Sequence, residues 1–121
     1  MLTTTRQVSV WACAEPVSMR FSFDGLFAVA RQSLGRDPLT GDMYLFVAAN
    51  RKQARVLYFD GTGLVVIAKR LEVGKFNAPW EEGERERPWR LTEPELALFL
   101  QGSPLAGRFE LSPPALVLGR R

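Results

Sequence analysis

The stretch MYLFVAANRKQARVLYFDGTGLVVIAKRLEVGKF, Met43 to Phe76, alternates with period two and folds back on itself twice. Met43, Leu45, Val47 and Ala49 share one face of a first strand, and Tyr44, Phe46 and Ala48 share the other. Asn50 to Gln53 is polar and interrupts the run. Arg55 to Asp60 resumes it, with Leu57 and Phe59 opposed to Val56 and Tyr58. Asp60-Gly61-Thr62-Gly63 is the strongest turn signal in the chain, because glycine takes positive φ at no steric cost. Leu64 to Leu71 is the third strand. Links this short join antiparallel neighbours, so the stretch predicts a β-meander.

Working outward, Val8 to Cys13 (VSVWAC) is rich in β-formers and predicts an opening strand. Met19 to Leu34 predicts a helix. Met19, Phe23, Leu26, Phe27, Ala30 and Leu34 recur at three- and four-residue spacing, with Ser18 as N-cap and Gly35 as the stop. Gly25 inside that helix marks a close backbone approach, expected onto the sheet. Beyond the meander, Glu81 to Pro88 is a charged loop and Trp89 to Leu91 a short strand. Thr92 to Gln101 predicts a second helix, in which Thr92 and Glu95 form a capping box and Pro94 sits in the first turn. The expected fold is α+β: an antiparallel sheet of about four or five strands with two helices packed on it. Residues 1–121 form a single domain, and 103–121 an extended C-terminal tail with one apolar run, Ala115 to Leu118.

Composition narrows the function. A chain of 121 residues with 46% apolar and 24% charged content has the make-up of one globular domain. No apolar run approaches the roughly 20 residues that span a bilayer, and Met1 to Gln7 lacks a signal peptide's hydrophobic region; a cytoplasmic location is expected. Cys13 is the only cysteine, which excludes an intrachain disulfide and predicts a buried, inert thiol. Histidine is absent altogether. That removes the commonest general base, the usual nucleophilic triads and the commonest zinc ligand. Asp24, Asp60 and Glu72 show no spacing that supports a two-metal site, and no metal or cofactor is expected. Asp60 belongs to a turn, and Asp24 suits the first turn of a helix.

The net charge is +3. In an antiparallel meander, the first turn and the end of the third strand lie at the same end of the sheet. Arg51, Lys52 and Arg55 flank that turn; Lys69, Arg70 and Lys75 cluster at that strand end. A phosphate backbone needs such a cluster, and Tyr44, Phe46, Tyr58 and Phe59 are expected to offer stacking surface. The competing account is an ordinary solvated turn. Trp80 and Trp89 flank the acidic loop, either as core residues or as anchors for a protein partner.

The order of segments resembles the second-open-reading-frame products of the insertion sequence 66 family of bacterial transposable elements, the accessory proteins commonly called TnpB. They are distinct from the RNA-guided nucleases that share that label. The resemblance is carried by Val10-Trp11-Ala12 with Met19-Arg20, Phe23-Asp24-Gly25-Leu26, Leu34-Gly35-Arg36-Asp37-Pro38 with Gly41, and Leu45-Phe46-Val47. It continues through Arg51 to Gly63, Lys69-Arg70-Leu71-Glu72 with Gly74-Lys75-Phe76, and Leu91-Thr92 with Leu96 and Leu100-Gln101-Gly102. Phe21-Ser22 stands where the family usually has Lys-Gly. The resemblance implies a non-enzymatic helper encoded beside a separate transposase. The expected partners are the transposase of the same element and double-stranded DNA at the element ends. The alternative is a pure adaptor that holds the transposase through Trp80, Trp89 and the apolar tail run.

Overall fold

The computed structural model describes residues 7–82 and 88–102. Its elements are β1 (Val10–Ala12), α1 (Phe23–Ser33), β2 (Met43–Val47), β3 (Gln53–Phe59), β4 (Leu64–Arg70), β5 (Trp89–Leu91) and α2 (Glu93–Leu100). Short 3-10 turns fill Pro38–Thr40 and Pro79–Glu82. One 5-stranded sheet runs in the order β4-β3-β2-β1-β5.

The meander is present: β2, β3 and β4 are antiparallel neighbours. The sheet as a whole is mixed, which corrects the expected all-antiparallel pairing. β1 runs parallel to β2, with Val10, Trp11 and Ala12 beside Met43, Tyr44 and Leu45. The reason lies in the connection. A parallel pair needs a long crossover, and the segment between β1 and β2 supplies one that contains α1. β5 then adds antiparallel to the outer side of β1.

The sheet is covered on both faces, so β2, its middle strand, is apolar throughout: Tyr44, Leu45, Phe46 and Val47 are all buried. On one face, Tyr44, Phe46 and Leu57 pack with Leu26 and Ala30 of α1. On the other, Val10, Leu45, Val47 and Val56 pack with Leu96 and Phe99 of α2 and with Phe76 from the chain after β4. The Phe76 and Phe99 rings stack 4.8 Å apart and 6° from parallel, which fastens that segment to α2.

Helix α1 starts later than the periodicity suggests. The Ser18 hydroxyl accepts from the Arg20 N–H, and the Ser18 carbonyl from the Phe21 N–H, so Ser18 holds a turn ahead of the helix. Ser22 precedes Phe23 without a side-chain cap. Phe23, at the first helical position, is 45% exposed rather than part of the buried stripe. Gly25 does mark a close approach, but to Phe21 and not to the sheet: a Cβ there would lie 2.7 Å from the Phe21 ring. Gly35 has φ +66 and ends the helix as expected.

The best-read element is α2. The Glu95 N–H donates to the Thr92 hydroxyl, and the Glu95 carboxylate accepts from the Thr92 N–H at 2.9 Å. Replacing Thr92 with Ala removes the first of these bonds. The expected result is a loss of about 1 kcal/mol, read as a lower urea midpoint at unchanged slope. An unchanged midpoint would mean that α2 owes its position to packing alone.

Candidate nucleic-acid interface

The two turns of the meander are built differently. At Asp60–Gly63 the carboxylate does the work: it accepts from the Thr62 N–H at 2.9 Å, the Thr62 hydroxyl at 3.0 Å and the Gly63 N–H at 3.0 Å. These bonds hold the Asp60 carboxyl below its ordinary range. Gly61 supplies the positive φ of +104. The turn accounts for Asp60 without any metal or phosphate. Among the described residues no acidic or thiolate group of three gathers to hold a metal ion. Cys13 is buried, and desolvation pushes its thiol up, which makes it a poor nucleophile.

At the β2–β3 turn, the backbone of Arg51 carries the strain. Its φ is 60, the left-handed region that a non-glycine residue enters at a cost of about 1–3 kcal/mol. Its N–H donates to the Ala48 carbonyl at 2.8 Å, and three further contacts hold it there. The Arg51 carbonyl accepts from the Phe76 N–H at 2.6 Å, and its guanidinium donates to the Phe76 carbonyl at 3.1 Å. The same guanidinium lies 3.7 Å from the Glu81 carboxylate. Arg51 thus ties the chain after β4 back onto the first turn of the meander.

That tie explains how the sequence-distant cations meet. The register sets Gln53 beside Arg70 and Ala54 beside Lys69. The Leu71 N–H donates to the Lys52 carbonyl at 2.8 Å, one step further along the same ladder. Lys75 is delivered by its neighbour Phe76. Arg51, Lys52, Arg55, Lys69, Arg70 and Lys75 therefore stand around one end of the sheet.

Their side chains are not equivalent. Arg55 donates to the Phe21 carbonyl at 2.9 Å and pins the chain ahead of α1. Arg70 lies 3.0 Å from the Glu72 carboxylate, an exposed pair of the kind worth little. Lys52, Lys69 and Lys75 are exposed, and among the described residues their ammonium groups meet no carboxylate. Strand alternation sends Lys69 to the α2 side of the sheet and Arg55 and Arg70 to the α1 side. The cations ring the end of the sheet rather than form a flat patch.

Trp80 and Trp89 are partly buried against the α2-side core, and Trp89 pairs with Ala12 in the ladder. The acidic loop at 83–87 and the tail from Ser103, with Ala115 to Leu118, lie outside the described residues.

One cluster escaped the sequence reading. The Arg36 guanidinium sits 3.9 Å from the centre of the Trp11 ring, and that of Arg90 5.4 Å. The Trp11 Nε1–H donates to the buried Asp42, which also accepts from the Ser9 N–H. Only the parallel β1–β2 pairing and the β1–β5 pairing bring these residues together, so their spacing along the chain carries no signal.

A model of the IS66 Orf2-like family matches residues 8–108. The chain belongs to that family. Two relatives of the IS66 Orf2-like chain come from Sinorhizobium fredii (strain NBRC 101917 / NGR234). The uncharacterized protein y4jC is 34% identical over 79 residues, 65% of this chain and 68% of its own length. The uncharacterized protein y4hO is 31% identical over 83 residues, 69% of this chain and 72% of its own length. No solved structure matches significantly. Membership in the IS66 Orf2-like family gives the protein a role in insertion-sequence transposition. The family match spans β1 to α2, and so covers every cation at the basic end of the sheet. Among the described residues no helix is long and apolar enough to cross a membrane.

Proposed function

We propose that this IS66 Orf2-like protein is a non-enzymatic accessory factor of transposition that contacts the phosphate backbone of DNA at the element ends. It works in the bacterial cytoplasm beside the transposase of the same element. The observation that carries the reading is the gathering of Lys52, Lys69 and Lys75, all exposed, at one end of the sheet. Three point charges on flexible stems suit a backbone contact, which needs charge but no fixed fork geometry. Arg70 adds a fourth cation when Glu72 swings away. Arg51 and Arg55 act as struts that keep this end of the sheet in shape. Trp80 and Trp89 face the core first, so a transposase contact through them would use only the exposed part of each ring.

Fluorescence anisotropy tests the proposal, with a duplex from the element's terminal repeat beside a scrambled duplex at two salt concentrations. Binding that weakens steeply with salt is the expected result. Preference for the terminal repeat would add sequence readout, and equal binding would limit the protein to backbone contact. No binding at low salt overturns the proposal and leaves direct contact with the transposase as the mode of action.

A further inference from the structure

Strand β4 ends the sheet, and its outer side has no neighbouring strand among the described residues. Which residues present the open backbone follows from the ladder with β3. The Asp60 N–H donates to the Gly63 carbonyl at 3.0 Å at one end, and the Leu71 N–H to the Lys52 carbonyl at 2.8 Å at the other. Both bonds belong to the same register as the β3–β4 pairs between them. Bonded and non-bonded pairs alternate in an antiparallel ladder. Val65, Ile67 and Lys69 therefore use their backbone groups on β3. Leu64, Val66, Ala68 and Arg70 turn theirs outward.

Natural proteins guard such an edge with short strands, prolines, bulges, inward-pointing charge or charged side chains along the strand, lysine above all. β4 is 7 residues long, carries no proline, and has Val65, Val66, Ile67 and Ala68 at its centre. Ile67 is 41% exposed, and Ala68 is exposed beside it. The only charges on the strand, Lys69 and Arg70, stand at one end. Charge at one end does not block pairing; it selects a direction and a register.

We propose that β4 pairs antiparallel with β4 of a second copy, about a two-fold axis that passes between the two Ile67 residues. In this register Val66 lies opposite Ala68 of the other copy, and Leu64 opposite Arg70. These are the outward-facing residues, so each open N–H and C=O of the strand gains a partner. The two Ile67 side chains meet across the axis, and Val65 meets Lys69. Each copy's Lys69 and Arg70 then lie toward the other copy's hairpin, where Asp60 carries an exposed carboxylate. Sliding the strands so that the lysines approach each other sets like charges opposite, which is destabilising. Parallel pairing in register does the same. The register that uses all the outward groups is thus also the one that keeps the cations apart. The two sheets become one, with a basic turn at each end. The pairing does not depend on DNA contact.

Sedimentation equilibrium of the full chain without DNA tests the state, and three variants test the register. Ala68→Pro removes an outward N–H and leaves the ladder with β3 intact, as prolines on edge strands do. Ile67→Cys places two thiols at a non-bonded antiparallel pair, where Cα atoms lie about 4.5 Å apart and a disulfide fits. Leu98→Cys on α2 is the control, since Leu98 is 45% exposed, much like Ile67. The native Cys13 is buried and does not compete. The expected results are twice the chain mass for the wild type, the single mass for Ala68→Pro, and covalent dimer on oxidation of Ile67→Cys well before Leu98→Cys. A wild type that stays monomeric at micromolar concentration overturns the proposal. So does cross-linking of Ile67→Cys no faster than of Leu98→Cys, and that arm decides the matter if Ala68→Pro fails to fold. A monomeric wild type whose transposition is lost with Ala68→Pro would give the edge to a strand of the transposase, and the second copy would be excluded.

Discussion

Replacing Lys52, Lys69 and Lys75 together with Glu is expected to lower duplex-DNA affinity by roughly a hundredfold or more at low salt. The slope of log affinity against log salt should fall by about three, one for each phosphate contact removed. Transposition should fall with it. The fold should not: the three side chains are exposed, and surface substitutions of this kind usually stay within about 0.5 kcal/mol each. Arg51→Glu is the instructive contrast. It abolishes the bond to the Phe76 carbonyl and sets a second carboxylate near Glu81, so it should lower the melting temperature as well as any DNA affinity. A lysine triple variant that binds and transposes like the wild type would assign these lysines to solvent.

Phe99→Ala should have the largest effect on stability. Phe99 is buried and stacks on Phe76. Truncating a buried phenylalanine costs about 3–5 kcal/mol, from lost transfer energy and from the cavity left behind. In a domain of this size each kcal/mol lowers the melting temperature by about 4 °C, so a fall of roughly 12–20 °C is expected. Leu98→Ala, one residue away and 45% exposed, should cost under about 1 kcal/mol. Calorimetry on the pair distinguishes burial from helix propensity, since both changes put alanine into α2. A Phe99→Ala loss no greater than that of Leu98→Ala would mean that the stack does not fasten α2.

How much of this was legible in the sequence depends on the range of the interactions. The β2–β4 meander and the Asp60 turn are local, and period-two alternation with an Asp-Gly pair is enough to find them. The capping box of α2 is local too. β1 and β5 are 3 residues each, and their pairing is settled across the whole chain. Nothing in VSVWAC announces a parallel partner; the helix that follows it is the one available hint. The start of α1 differs from the one that the periodicity predicts because Ser18 and Ser22 are equally good cap residues by type, and the turn at Ser18 decides between them. At the basic end, the meander register was enough to gather the cations. It could not separate struts from free charges. Arg51 and Arg55 differ from Lys52 because Phe76 and Phe21, both distant along the chain, present carbonyls to them, and because Glu81 lies beside Arg51.

The placement of β1 between β2 and β5 has a consequence for how the protein is made. β1 leaves the ribosome before the other four strands, yet its first neighbour follows only after the whole crossover, and its second is the last strand of the sheet. Chain synthesis runs at about 5–20 residues per second, so the β2–β4 hairpins have seconds to form while β5 is still to be translated. Closing those short hairpins also costs less chain entropy than seating β1. The nascent protein thus carries a finished meander backed by α1 on one face and partly bare on the other, and α2 and β5 arrive together, 93 beside 91, to cover the bare face and complete the ladder. A ribosome that stalls before Trp89 would release a chain whose β1 lacks its outer partner, a natural target for the cell's proteases.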